Sequence, residues 1–176
     1  PAFEAVRLLP DEIAGLELCK LEIPTEFIKS GVILKDALRA VHPNAVLCVG
    51  QAGGRTAVTP ERVAINLMDA RIPDNAGYQP IDTPVVPDGP AAFFSTLPVK
   101  AIAARIQSDG TYVCNSLLYT LLHTAALEYP GLRGGFLHVP YAAEQLSGKP
   151  VGTFAMPLPD IARALTRAVE AISENL

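Results

Sequence analysis

A chain of 176 residues, 49% hydrophobic and 18% charged, is long enough for one filled core and too apolar for a disordered segment. Its net charge of −4, without a basic block, excludes the electrostatic footprint of a nucleic-acid or anionic-membrane binder. No apolar run approaches membrane-spanning length.

The opening "PAFEAVRLLP" has no secretory layout and no initiating Met, so residues upstream of Pro1 are expected. Within it, residues 2–9 read as a short helix with Phe3, Val6 and Leu9 on one stripe. "LELCKLEIP" (16–24) alternates in part and predicts a strand. "EFIKSGVILKDALRAVHP" predicts a helix with Leu34, Leu38 and Val41 at helical spacing, stopped by Pro43. "NAVLCVG" (44–50) is a short apolar run between turn signals, the pattern of a strand buried on both faces in a parallel sheet. Residues 51–80 read as loop and strand, and "IDTPVVPDGP" as a turning segment.

Residues 97–108 predict a helix with Pro98 in its first turn and Val99, Ile102 and Ile106 facing inward. Residues 115–129 predict another, with Leu117, Leu121 and Ala125 on one side and Leu118 and Leu122 beside them. "GGFLHVP" (134–140) reads as a strand. "DIARALTRAVEAISENL" closes the chain as an amphipathic helix carrying Ile161, Leu165, Val169 and Ile172, with Asp160 as its expected N-cap. This order predicts one domain over 1–176, a three-layer α/β/α sandwich with a mostly parallel, mixed sheet of the phosphorylase/hydrolase-like kind. The alternation breaks once, where "IAARIQSDG" runs into "TYVCN" and two helices follow each other.

The three cysteines form no CxxC pair, and no His stands near them at zinc-finger spacing. Free thiols in a reducing cytoplasm, without a metal site, are expected. Cys19 and Cys48 lie between apolar or long-stemmed neighbours and read as buried small hydrophobes. Cys114 stands at the mouth of a helix that opens with Asn115 and Ser116. Unpaired N–H groups and the positive end of the helix dipole favour a thiolate there, and the same groups suit a developing oxyanion. Position alone also fits a packed core cysteine.

A nucleophile needs a base, and the base an orienting group. His42 stands at a helix end before Pro43, where a local role at the negative end of the dipole is expected. His123 is mid-helix and expected at the surface. His138 ends an apolar strand, where open α/β sheets carry their chemistry, although a satisfied core histidine fits the same spacing. Glu61 in "TPERVAIN" is a charge among apolar neighbours and needs a partner. That partner is either His138 or one of Arg55, Arg62 and Arg71. These residues make a candidate Cys–His–Glu set for acyl transfer, with amide hydrolysis as the expected reaction.

Several long segments together resemble the pyroglutamyl peptidase I family, the pyrrolidone-carboxylate peptidases. They are "CVGQAGGRTAVTPERVAINLMDARIPDNAGYQP", "DGPAAFFSTLPVKAI", "TYVCNSLLY" and "RGGFLHVPYAAEQ", with "PAFEAVRLL" and "IPTEFIKS" near the start. The resemblance implies a cytosolic cysteine peptidase that removes N-terminal pyroglutamate from peptides, without metal or cofactor. It implies Glu61, Cys114 and His138 as the catalytic residues. It implies that Gln51 hydrogen-bonds the lactam, that Thr25, Ile72, Tyr112 and Val113 line its pocket, and that Arg71 helps order the site. It also implies a homo-oligomer, with a tetramer expected. A phosphate-cradling reading of "GQAGGR" fails because the Lys-Ser/Thr ending of a P-loop is missing.

The resemblance also predicts a strand and a Phe-bearing "GF-x-PFGG" loop before Pro1, and a strand between the segments matching "IQSDG" and "TYVCN". Neither has a counterpart in the sequence, so the complete protein is expected to exceed 18.7 kDa. The alternative is a catalytically inactive binding or scaffold relative of the same fold, which gains weight if those segments are truly deleted.

Overall fold

The computed structural model describes residues 1–106 and 115–176. In chain order the elements are α1 (Ala2–Arg7), β1 (Glu12–Ile13), β2 (Leu16–Glu17), α2 (Phe27–Val41), β3 (Ala45–Gln51), β4 (Thr59–Glu61), β5 (Val63–Ile65) and β6 (Ala92–Phe94). There follow α3 (Val99–Ile106), α4 (Asn115–Glu128), β7 (Arg133–Val139), β8 (Tyr141–Ala142), a single 3-10 turn at Ala143–Gln145, β9 (Ala155–Met156) and α5 (Leu158–Ser173).

Among the described residues the central sheet has the order β3-β7-β4, with β3 parallel and β4 antiparallel to β7. The apolar runs dictate this centre. β7 is buried from Gly134 to Val139, so both of its faces need cover. Alternation sorts its side chains and those of β3 to two cores. Leu47, Val49, Leu137 and Val139 pack with α1, α3 and α5. Val46, Cys48 and Phe136 pack with α2 and α4. The result is helix, mixed sheet, helix: the three-layer α/β arrangement expected from the sequence.

Two consecutive glycines allow the layers to close on β7. A Cβ on Gly134 would stand 2.9 Å from Leu121 of α4, and one on Gly135 would stand 2.6 Å from Leu97 on the other face. α4 returns to β7 through the short turn at 129–132, so it runs back along the strand. Its amino end is thereby directed toward the carboxyl end of β7, where His138 sits.

α5 follows its predicted stripe: Ile161, Leu165, Ala168 and Ile172 are buried, each large aliphatic chain stabilising the fold by about 1.5–3 kcal/mol. Its start differs from the expectation. Pro157 is the N-cap, and Asp160 lies inside the first turn, paired with Arg163. Leu158 and Pro159 already have helical geometry, and proline is well suited to a first turn, which moves the cap upstream.

α2 buries Ser30, Leu34 and Leu38, whereas Val41 in the last turn is exposed. α2 ends at His42, which adopts the left-handed conformation (φ 49°) and donates its N–H to Leu38 O. In α3, Ile102 is buried and Val99 half-buried; the side chain of Ile106 lies outside the description.

Three further expectations are corrected. The strand predicted for 16–24 is only Leu16–Glu17, hairpin-paired with β1. Beyond it, Lys20 Nζ binds Leu9 O and Asp11 Oδ1, tying the segment to the surface. Leu18 packs inward there, and Cys19 is exposed rather than buried. His123 is half-buried rather than at the surface, stacked on Tyr119 at 6.0 Å and meeting Phe93 edge-on.

Candidate active site

Glu61 ends β4, and His138 is the penultimate residue of β7. In their antiparallel pairing Thr59 is opposite His138 and Glu61 is opposite Phe136. Opposed residues share a face of the sheet, so all four side chains point toward α4. The Glu61 carboxylate reaches diagonally across, bringing Oε1 to 2.8 Å from His138 Nδ1.

Both groups are withdrawn from water, with 0% exposure for His138 and 7% for Glu61. The Phe136 ring lies 4.9 Å from the imidazole and walls one side. A carboxylate only accepts, so Nδ1 carries the hydrogen and Nε2 of the neutral ring is an acceptor. That Nε2 is buried and has no hydrogen-bond partner among the described residues. An imidazole oriented from behind, with a basic nitrogen that no described residue occupies, is equipped to take a proton and return it.

Arg55 joins the same carboxylate: its Nη2 donates to Glu61 Oε1 at 3.1 Å. The sequence left His138 and an arginine as alternative partners for Glu61, and the structure has both together. Arg62 points elsewhere. It lines an open cavity of about 450 Å³ with Phe94, Leu97 and Lys100. Arg71 and Ile72 are exposed on the loop after β5, Ile72 by 76%. Thr25, just before α2, is also exposed, and its carbonyl accepts the N–H of Asn75. Gln51 ends β3 beside Val139. Its Oε1 accepts from Gln145 Nε2 at 3.5 Å, and Gln145 Oε1 is itself held by the N–H of Ala142. Tyr112, Val113 and Cys114 lie outside the described residues.

Of the described cysteines, Cys48 lies on the α4 side of β3, register-paired with Phe136. Burial pushes its thiol up to about 12, so at neutral pH it stays protonated and a poor nucleophile. Among the described residues no group of three His, Cys, Asp or Glu could hold a metal ion. No described helix is long and apolar enough to cross a membrane.

Two residues whose long-range bonds the sequence did not disclose organise the surroundings. Asp74 Oδ2 accepts the N–H of Phe27, the first residue of α2, while Oδ1 accepts those of Ala76 and Tyr78. The Phe27 hydrogen bond is the main cause holding its carboxyl below the ordinary carboxylate range. Asn115 opens α4 and bonds the backbone at the end of β5. Both partners are too far away in sequence to leave a local signature.

The comparisons with known proteins agree with this architecture. The pyroglutamyl peptidase family model matches residues 1–175. A pyrrolidone-carboxylate peptidase of Streptococcus pneumoniae is 52% identical over 182 residues, covering 98% of this chain and 85% of that protein. One from Levilactobacillus brevis is 48% identical, covering 98% of this chain and 89% of that protein. The crystal structure of pyroglutamyl peptidase I from Bacillus amyloliquefaciens superposes with a TM-score of 0.89 at 38% identity, over 97% of this chain and 87% of that one. Fold and matches together define a hydrolase of the cysteine-peptidase class. Within that class, the chain belongs to the pyroglutamyl peptidase family.

Proposed function

We propose that this chain hydrolyses the amide bond after an N-terminal pyroglutamyl residue, releasing pyroglutamate from peptides. The observation that carries the reading is the buried Glu61–His138 contact at 2.8 Å, in a chain of the pyroglutamyl peptidase family. In this reading Cys114 is the nucleophile. His138 Nε2 takes the thiol proton, and the thiolate attacks the pyroglutamyl carbonyl carbon. N–H groups at the start of α4 hold the oxyanion. The imidazolium returns its proton to the leaving amine as the C–N bond breaks, leaving a thioester. His138 then deprotonates a water, whose attack releases pyroglutamate and restores the thiol. Glu61 keeps the imidazole in its productive tautomer throughout.

The substrate end is a neutral five-membered lactam. Gln51 supplies a neutral amide to bond it, and Thr25, Arg71, Ile72, Tyr112 and Val113 complete the pocket. A free N-terminal glutamine would bring an ammonium that such a pocket leaves unpaired, which is the physical basis of selectivity. The enzyme acts as a single domain over residues 1–176 in the cytoplasm, as a homo-oligomer, with a tetramer proposed and no metal or cofactor required.

The test is release of a fluorescent amine from a pyroglutamyl amide, with the glutaminyl amide as control and Cys114→Ala beside the wild type. Turnover of the lactam alone, lost in the variant, is the expected result. A folded wild-type protein that turns over neither substrate sinks the reading and leaves an inactive relative of the fold.

A further inference from the structure

Arg55 lies in the turn between β3 and β4, with its side chain only 10% exposed. It folds back along β4. Nη1 donates to Thr59 Oγ1 at 2.5 Å, and Nη2 donates to Glu61 Oε1 at 3.1 Å. Thr59 and Glu61 are two residues apart on an extended strand, hence on one face, and a planar guanidinium spans them. The oxygen it meets on Glu61 is the one that His138 Nδ1 approaches at 2.8 Å. One carboxylate oxygen therefore serves a guanidinium and an imidazole.

We infer that Arg55 is a positioning residue for hydrolysis, fixing the rotamer and the negative charge of Glu61 so that His138 presents Nε2 to the reacting groups. The inference rests on the proposed roles of Glu61 and His138. A buried carboxylate without a fixed cation tends to take up a proton and to lose its orientation. Protonated, it can donate toward Nδ1 and force the opposite imidazole tautomer, with the hydrogen on Nε2. A guanidinium does not titrate in the working range, so it holds the anion whether His138 is neutral or charged. It also shares the oxygen during the imidazolium stage. The imidazolium then has no exclusive ion pair to leave when it gives its proton to the departing amine. Lysine cannot reproduce this arrangement, because an ammonium is a point charge that lacks the planar fork.

The alternative is an ion pair that only supports the fold. Steady-state kinetics on the pyroglutamyl amide separate the two, with folding of each variant checked by circular dichroism. Arg55→Met is expected to lower kcat roughly 10²-fold with KM changed less than about threefold, the signature of lost positioning rather than lost binding. Arg55→Lys is expected to keep about a tenth of the wild-type kcat. Arg55→Ala is expected to regain about tenfold in kcat on adding guanidinium ion at non-denaturing concentration, which a purely structural role would not produce. A folded Arg55→Met with kcat within about threefold of wild type, or a loss carried by KM alone, overturns the inference. Should the Met and Ala variants fail to fold, Arg55→Lys and Thr59→Val decide: kcat must fall at least about threefold in both, and wild-type kcat in both overturns it. An inactive wild type would remove the proposed function itself. An active wild type with an indifferent Arg55 removes only this inference.

Discussion

The side chain of Asn115 pairs with the backbone of Ile65 in both directions: Oδ1 accepts the Ile65 N–H at 2.6 Å and Nδ2 donates to the Ile65 carbonyl at 2.7 Å. Nδ2 also reaches the Leu67 carbonyl at 3.0 Å. An amide side chain thus mimics a strand partner and fastens the first turn of α4 to the end of β5. The residue before it in sequence is Cys114, the proposed nucleophile. Asn115→Ala is expected to lower stability by about 0.5–1.5 kcal/mol, since the Ile65 backbone exchanges its amide partner for water. Asn115→Asp is expected to be worse for activity, because a carboxylate would face two carbonyl oxygens. Urea unfolding and kcat for both variants check this. An Asp variant as active as wild type would show that the amide donors are dispensable.

Glu61→Gln probes the orientation of the imidazole. The amide can present an N–H to Nδ1, which would place the ring hydrogen on Nε2 and abolish its acceptor. The expected fall in kcat is about 10²–10⁴-fold, with KM little changed. The variant also removes the carboxylate from its buried ion pair with Arg55, so stability is expected to fall by about 3–5 kcal/mol. Activity must therefore be compared at a temperature where thermal melts show the variant folded. A folded Glu61→Gln enzyme with wild-type kcat would refute the role given to Glu61.

What the sequence disclosed follows from the range of its signals. "NAVLCVG" is apolar on both faces and bounded by turns, the pattern of a parallel strand buried on both sides; β3 is parallel to β7, but only Cys48 of it is fully buried and the rest are half-buried. The α5 stripe repeats for four turns, enough to fix its inward face. β4 was not legible, because three residues containing Pro60 carry neither alternation nor a full set of donors. Proline is tolerated there because, among the described residues, β4 is an edge strand of the sheet. Cys19 misled because two or three alternating residues do not say which side faces the core. A sequence also treats the partners of Glu61 as rivals, whereas a carboxylate oxygen has lone pairs for two donors. Asp74 and Asn115 act over 47 and 50 residues, beyond any local pattern.

Cysteine reactivity offers a test independent of turnover. Cys48 is buried and its thiol is pushed up to about 12, so native protein at pH 8 should not be alkylated there. Cys19 is exposed and should be labelled without loss of activity. Iodoacetamide treatment followed by peptide mass mapping is expected to show Cys48 modified only after unfolding. Activity loss is expected to track modification of Cys114. Inactivation that tracks Cys19 or Cys48 instead would contradict the assignment of the nucleophile.

Asp74 links the acid stability of the protein to the loop bearing Arg71 and Ile72. Its carboxylate accepts the N–H of Phe27 across 47 residues and those of Ala76 and Tyr78 within its own turn. These bonds favour the anion, so the folded-state value lies below the ordinary 3.8. With a depressed folded value, the contribution is fully present above the unfolded value. It is lost as pH falls below 3.8 and through the lowered folded value. Asp74→Asn removes the charge, and its single carbonyl oxygen cannot reach both Phe27 and the turn. The variant should therefore be less stable than wild type near neutral pH and begin to converge toward it as pH falls into that window. If the loop contributes to the lactam pocket as proposed, KM should rise in the variant while kcat changes little. Urea unfolding from pH 7 to pH 3, with KM measured near neutrality, reads both effects. A stability difference that stays constant across the whole pH range would mean that the charge of Asp74 is not what holds the loop.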